Sequence, residues 1–289
     1  MKFAVLRTLT SKYSVCLACR ALRVSPSGYY AWCKRPESER AKTNRRLVDE
    51  IRLIFAQNQQ RYGSPRIYRT LKTQGETVSE GRIARLMRKE SIVAQHKRSF
   101  KKTTHREARL PLAANHLQQD FTASAPNQKW VADMTYLKTR EGWLYLAAIL
   151  DVFSRQVIGW AMDTQMSADL TCQALRMALL KRGSREGLLH HSDRGRQYAS
   201  GVYQELLALH RLQPSMSGVG NCYDNALMES WFATLKTELG RQWATRAQAK
   251  SEVFEYVEVY YNRLRMHSSL DYQTPAQFEQ AFYQQQQQN

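Results

Sequence analysis

Apolar positions recur with two different periods along this chain, and the change comes near residue 129. In 14–33, SVCLACRALRVSPSGYYAWC, the residues Val15, Leu17, Ala18 and Leu22 have helical spacing. They stop at Val24-Ser25-Pro26, and an aromatic run Tyr29-Tyr30-Trp32 follows. This predicts two short helices around a turn, similar to a small helix-turn-helix. Leu47, Ile51, Ile54 and Phe55 predict a longer helix from about Arg45 to Asn58. After Tyr62-Gly63-Ser64-Pro65, a helix carries Ile67, Tyr68 and Leu71, and beyond Val78-Ser79-Glu80 a last one reaches about Lys89. There Ser79 is the N-cap, Ile83, Leu86 and Met87 face inward, and Arg82, Arg85, Arg88 and Lys89 are left for solvent or phosphate.

From Lys129 the texture is that of strands. Trp130 to Leu137 alternates, with Val131, Asp133, Thr135 and Leu137 on one face. Trp143 to Phe153 is almost continuously apolar, and Gln156 to Met162 is a third strand. The short connections at Arg140-Glu141-Gly142 and Ser154-Arg155 predict an antiparallel meander. A helix from about Ala168 to Arg182, a buried strand Leu188 to Ser192, a helix around Val202 to His210 and a short strand near Leu212 to Met216 follow. That order predicts an α/β fold with a mixed sheet. A helix beginning near Asp224-Asn225 carries Met228, Phe232, Leu235 and Leu239 as a packing stripe. A final helix from about Ala247 to Leu270 presents Val253, Tyr256, Val257, Tyr260 and Tyr261.

The expected organisation is a basic helical region over 1–94, a basic linker over 95–128, an α/β core over 129–240 and a C-terminal helix and tail over 241–280. A glutamine-rich end over 281–289 is too polar to pack and is expected to be disordered.

Charge sharpens the division. The 289 residues carry 43 Lys and Arg against 25 Asp and Glu, a net +18. Residues 1–115 hold 26 of the bases and 8 of the acids, whereas 116–289 hold 17 of each, so the whole excess lies in the first region. A one-sided excess points to a polyanion gripped by the N-terminal part. Its helices fit a helix-turn-helix or winged-helix DNA binder, in which a basic helix enters the major groove. The alternative is a helical adaptor whose arginines merely solvate it.

The hydrophobic content, 43%, excludes disorder along the whole chain. The longest apolar run, Trp143 to Leu150, is far too short to span a bilayer, and Arg7 and Lys12 interrupt any secretory segment. A cytoplasmic, nucleoid-associated protein is expected. Five scattered cysteines, Cys16, Cys19, Cys33, Cys172 and Cys222, make no disulfide framework. Cys16 and Cys19 have a zinc-like spacing, but no second pair follows, and ordinary thiols on a helix are the better reading.

Three acids stand where chemistry is possible. Asp133 interrupts an apolar strand, where an unpaired carboxylate is costly unless a cation meets it. Asp193 ends an apolar strand in LLHHSDRG, at the carboxyl edge where α/β sheets place ligands. Glu229 borders the packing stripe of its helix, with Asn225 and Lys236 on its own side. Three converging carboxylates in a DNA-binding chain suit Mg2+ or Mn2+, hard ions that activate a water or a 3′-hydroxyl and stabilise the leaving oxygen at a phosphodiester. Asp151 is a further candidate ligand, against a bond to Arg155 or a backbone turn. Asp224 and Asn225 are expected to cap the Glu229 helix. His190 and His191 are expected to be packed or solvated, the alternative being that one of them touches substrate; Lys236 is a candidate phosphate contact, and Arg263, Arg265 and His267 are candidate DNA contacts.

The order Asp133, Asp193, Glu229, with 35 residues between the last two, resembles the DDE signature of retroviral-type integrases and transposases. More closely, the chain resembles the second-frame transposase of the IS-three family of bacterial insertion sequences. The matching stretches are CRALRVSPSGYYAW, RYGSPRIYRTL, PNQKWVADMTYL, GWLYLAAILDVFSRQVIGWAM, HSDRGRQY, GNCYDNALMESWFATLKTE and YYNRLRMHSSLDYQTPAQF, which together span nearly the whole chain.

The resemblance implies an RNase H-like core and DNA cleavage and strand transfer without a covalent protein intermediate. It makes Asp133, Asp193 and Glu229 a triad binding two metal ions. It also implies double-stranded DNA, both element ends and target, as partner, a homo-oligomer assembled on that DNA, and an upstream reading frame that supplies a terminal-repeat-binding helix-turn-helix and a leucine zipper. No sustained heptad pattern occurs in this sequence, so the chain is expected to be part of a larger working enzyme. Two other functions compete: a DNA-binding regulator with an idle core, which three intact acids argue against, and a structure-selective nuclease of the same fold that cleaves without joining.

Overall fold

The computed structural model describes residues 2–95, 113–218, 223–240 and 242–288, which fall into two compact units, Met1–Val93 and Ala94–Asn289. The first is all helical. Helix α1 (Lys2–Leu9), which the periodicity does not announce, packs with α2 (Val15–Leu22) and α3 (Pro26–Lys34) around Leu6, Ala18, Cys19 and Tyr29. Helix α4 (Glu39–Gln57) starts a turn and a half earlier than the apolar pattern indicates, because Ser38 accepts the backbone N–H of Ala41 and begins the helix there. Helices α5 (Ser64–Thr73) and α6 (Glu80–Lys89) complete the unit, with Ile67, Leu71, Ile83, Leu86 and Met87 buried. Serine capping sets most of the helix starts: Ser14, Ser25, Ser79, Ser167 and Ser200 each accept from the N–H three residues on.

The second unit is built on a five-stranded sheet of β1 (Lys129–Thr139), β2 (Gly142–Asp151), β3 (Val157–Asp163), β4 (Leu189–Ser192) and β5 (Gln213–Met216), in the order β3-β2-β1-β4-β5. The expected meander β1-β2-β3 is antiparallel, and β4 and β5 join it parallel to β1. Helices α7 (Ala168–Arg182) and α8 (Gly201–Leu209) cover one face, over Trp130, Ala132, Ala147 and Ile149. Leu144, Leu146, Ala148 and Leu150 alternate to the other face and are equally buried. On β1 lie α9 (Ala226–Glu238) and α10 (Arg246–Phe254), which continues as a π-helical stretch over Glu255–Tyr261. The last helix is α11 (Pro275–Gln288).

Two expectations are corrected. Residues 113–128, taken as linker, belong to the second unit: Leu117 is buried, and the N–H groups of His116 and Leu117 donate to Ser215 Oγ at 2.9 and 3.2 Å. Side-chain bonds order this stretch, which hydrophobic periodicity cannot register. The rest of that linker, 96–112, lies outside the described residues. Gln284–Gln288 are helical rather than disordered: Phe278 and Phe282 pack on Phe153 and Glu279 pairs with Arg182, so α11 is anchored and its polar end propagates from it. Among the described residues no helix is long and apolar enough to cross a membrane.

Candidate active site

Strand pairing brings the first two acids together. β1 and β4 run parallel with Ala132 opposite Ser192, so Asp133 and Asp193 occupy the next level, one strand apart, where lateral neighbours are separated by about 4.8 Å. Both are half-buried. Asp133 Oδ1 accepts the N–H of Met134 at 2.7 Å, and Asp193 Oδ1 accepts that of Gly195 at 2.8 Å. Tyr198 reports on both: burial and Tyr203 push its phenol well above the usual range, and the charges of Asp133 and Asp193 push it further.

Glu229 comes from α9, whose two ends are tied to the same two strands. At the start, Asp224 Oδ2 accepts the N–H of Gly218 at 2.8 Å, and the N–H of the adjoining Ser217 donates to Ser192 O, one residue before Asp193. At the far end, Lys236 lies 4.7 Å over the Tyr136 ring, and Trp243 exchanges backbone bonds with Lys138 and Arg140. α9 therefore runs along β1 in the same direction. From Lys236 back to Glu229 is seven helical residues, about 10 Å, and from Tyr136 back to Asp133 is three strand residues, also about 10 Å. By these lengths Glu229 comes to about the level of Asp133 along β1, and it is exposed to solvent. Among the described residues no three carboxylate, imidazole or thiol side chains close into one cluster; Asp133 and Asp193 adjoin, and Glu229 stands on α9, which packs on β1. The donors are all hard oxygens, the set that suits Mg2+ or Mn2+.

The remaining candidates separate clearly. Asp151 is fully buried and satisfied by the N–H groups of Asn127, Phe153 and Ser154 at 2.7, 2.9 and 3.0 Å. Burial pushes its carboxyl up. It organises the turn after β2, and its oxygens are spent there. Asp224 joins Gly218 to Asn115, whose Nδ2 donates at 2.9 Å. Asn225 is the N-cap residue, without a side-chain cap bond. His190 meets the Tyr203 hydroxyl at 3.1 Å, and His191 bridges Ser215 and Ser217 at 2.9 and 3.2 Å. Both are packed, one of the expected readings.

Arg265 is withdrawn as a DNA contact. It is buried, and its guanidinium makes three bonds of 2.7–3.0 Å to Glu238, which also accepts from the Tyr256 hydroxyl at 2.9 Å. This network, like the Asn115–Asp224 bond, has no signature in periodicity, because its members lie far apart in sequence. Arg263 is exposed, while His267 is half-buried with Nδ1 2.8 Å from Ser269 Oγ. On α6, Arg85, Arg88 and Lys89 are exposed, but Arg82 turns inward and donates twice to Asn44 Oδ1 at 2.8 and 3.1 Å. Cys16 and Cys19 are free thiols on α2, the first exposed and the second buried.

Comparison with known proteins gives this arrangement its place. A model of an HTH-like domain matches residues 42–100, which include α4–α6 rather than the α2–α3 pair. Two models described as an integrase core domain match residues 123–222 and 210–275. The Escherichia coli K12 protein named transposase InsF for insertion sequence IS3A is 42% identical over 283 residues, covering 96% of this chain and 98% of the relative. A Shigella sonnei protein, the uncharacterized 31 kDa protein of insertion element IS600, is 42% identical over 92% of this chain and 98% of its own length. Among solved structures, the HTLV-2 integrase catalytic core domain in complex with magnesium is similar with a TM-score of 0.42 at 18% identity, covering 55% of this chain and 99% of that one. The integrase core is a metal-dependent catalytic fold, and the HTH-like region preceding it marks a DNA-binding protein. With relatives matched at this identity over almost their whole length, the chain belongs to the IS3-type insertion-sequence transposases, polynucleotidyl transferases that act on DNA through an integrase catalytic core.

Proposed function

We propose that Asp133, Asp193 and Glu229 are the catalytic carboxylates of this transposase and together hold two divalent cations, Mg2+ or Mn2+. The observation that supports the reading is the pairing of Ala132 with Ser192 on adjoining parallel strands, which sets Asp133 beside Asp193, together with α9, the helix that carries Glu229, packed on β1. When bound, the ions supply an activated water or 3′-hydroxyl and a counter-charge for the oxygen leaving phosphorus. The protein's own part is positional. Asp133 is fixed in mid-sheet, Asp193 is held at its strand end by the Gly195 N–H, and Glu229 is carried on a packed helix. Pre-set negative charge would repel phosphate until cations neutralise it.

Lys236, about 10 Å along α9 from Glu229, and the exposed Arg263 are assigned to the phosphate backbone of the DNA near the core. Arg85, Arg88 and Lys89 are assigned the same role in the basic helical region. The substrate is double-stranded DNA, first at an element end and then at a target, bound by a homo-oligomer that works with the product of an upstream frame. Such DNA places the enzyme in the bacterial cytoplasm at the nucleoid.

The test is a strand-transfer assay on element-end DNA in Mg2+, using the chain together with that upstream product. Wild type joins ends, and Asp193→Asn does not while still shifting DNA on a gel. Undiminished joining by Asp193→Asn would remove the triad assignment, and hydrolysis without joining by the wild type would favour a nuclease.

A further inference from the structure

The buried polar atoms around the start of α9 form one connected set, and it includes a segment far away in sequence. Asp224 is wholly buried beside the first turn of the Glu229 helix. Its Oδ2 accepts from Asn115 Nδ2 at 2.9 Å and from the Gly218 N–H at 2.8 Å. Asn115 Oδ1 accepts the N–H of Gln118 at 3.0 Å, which fixes which way its amide faces. The same short segment is sewn to β5: Met216 N–H donates to Ala114 O, and Ser215 Oγ takes the N–H groups of His116 and Leu117 before meeting His191. So residues 114–118 form a strap across the end of the sheet, and the strap's one side-chain grip on the approach to α9, among the bonds described, is Asn115 to Asp224.

Glu229 is five residues beyond Asp224, about one and a half turns. A shift of Asp224 is therefore carried along a stiff helix to that carboxylate. We propose that Asn115 and Asp224 are a positioning pair that sets where Glu229 stands relative to Asp133 and Asp193. The proposal rests on the triad reading above. Neither residue touches the reacting atoms; they act through Glu229, as outer partners of metal ligands do, whose loss costs about 10- to 100-fold in metal affinity.

Hydrogen-bond polarity makes the pair testable. Both bonds to Asp224 fall on the one oxygen Oδ2, so Asp224→Asn keeps both partners with its amide oxygen in that place. Asn115→Asp instead sets carboxylate against carboxylate at that contact while still accepting from Gln118 N–H, and Asn115→Ala removes the donor.

The experiment measures, on the full chain without DNA, the Mn2+ concentration that half-maximally raises the melting temperature, alongside single-turnover cleavage of element-end DNA. Asn115→Asp and the milder Asn115→Ala should each raise that concentration about 10-fold or more, and Asp224→Asn should stay within about threefold of wild type. Cleavage should follow the same order in its rate constant, with DNA affinity unchanged. Asp193→Asn is the control for the triad: it should abolish the Mn2+ response. If it does not, the triad reading fails. If it does, but Asn115→Ala or a folded Asn115→Asp keeps the wild-type midpoint, or a folded Asp224→Asn moves it as far as they do, the positioning pair is overturned while the triad stands.

Discussion

Gly195 has no room for a side chain. A Cβ there would lie 2.8 Å from Asp193 Oδ1 and 3.0 Å from Gln197 Oε1, and the Gly195 N–H is the donor that holds the Asp193 carboxylate. Gly195→Ala should leave the melting temperature nearly unchanged, because the loop is partly exposed, yet lower single-turnover cleavage about tenfold or more by moving a ligand. His190 and His191 give a second residue-level expectation. Burial pushes His190 down to about 3, and burial pushes His191 down to about 4 against the opposing charge of Asp224. Both lie below the usual value near 6.5, so between these values the unfolded chain binds more protons than the folded one. Their contribution is complete above about pH 6.5 and is lost as pH falls toward 4 and then 3. Thermal melts across pH 7 to 4 should show falling stability, with a shallower slope in His191→Gln; an unchanged slope would contradict the buried, neutral imidazole. Of these residues, Asp133 and Asp193 were legible in the sequence because an acid within or at the end of an apolar strand is costly without a reason. Asp224 and Glu238 were not, since what makes them important is a partner more than a hundred residues away or beyond the next helix.

At the scale of elements, the close approach of β3 to α7 depends on Gly159, where a Cβ would meet Ala174 O and stand 2.8 Å from Ala178 N and Cβ. Gly159→Ala should cost about 1–3 kcal/mol by overpacking, read from urea unfolding. The last turn of α9 is fixed by the buried Glu238–Arg265 pair. Arg265→Met leaves Glu238 buried without its cation and should cost about 3–5 kcal/mol, whereas Arg263→Met on the exposed side should be nearly neutral. Equal losses for the two would contradict the assignment of Arg265 to structure. The meander and the α7-β4-α8-β5 alternation were legible because each carries its own period in apolar residues. The strap at 114–118 was not, because polar side chains bonding backbone groups have no period. The tyrosine-rich stretch after α10 was legible as a helix, but its π-helical winding over Glu255–Tyr261 was not.

For the whole molecule, the excess of bases in residues 1–115 makes DNA affinity steeply salt-dependent. Replacing Arg85, Arg88 and Lys89 together by Ala should flatten the slope of log affinity against log salt by about 2–3, the counterions of three lost phosphate contacts. The core carries equal numbers of acids and bases from residue 116 onward, so its contribution to binding should depend on divalent ions more than on ionic strength. The central claim is that three acids from β1, the end of β4 and α9 share one metal site. Iron-directed cleavage tests it most directly: Fe2+ placed in an oxygen-ligand site, with ascorbate and peroxide, releases radicals that cut only the nearby backbone. The account predicts cuts near Asp133, Asp193 and Glu229 together, suppressed by excess Mg2+ and by Asp193→Asn. Cuts at one or two of the three positions only, or a pattern indifferent to Asp193→Asn, would contradict it.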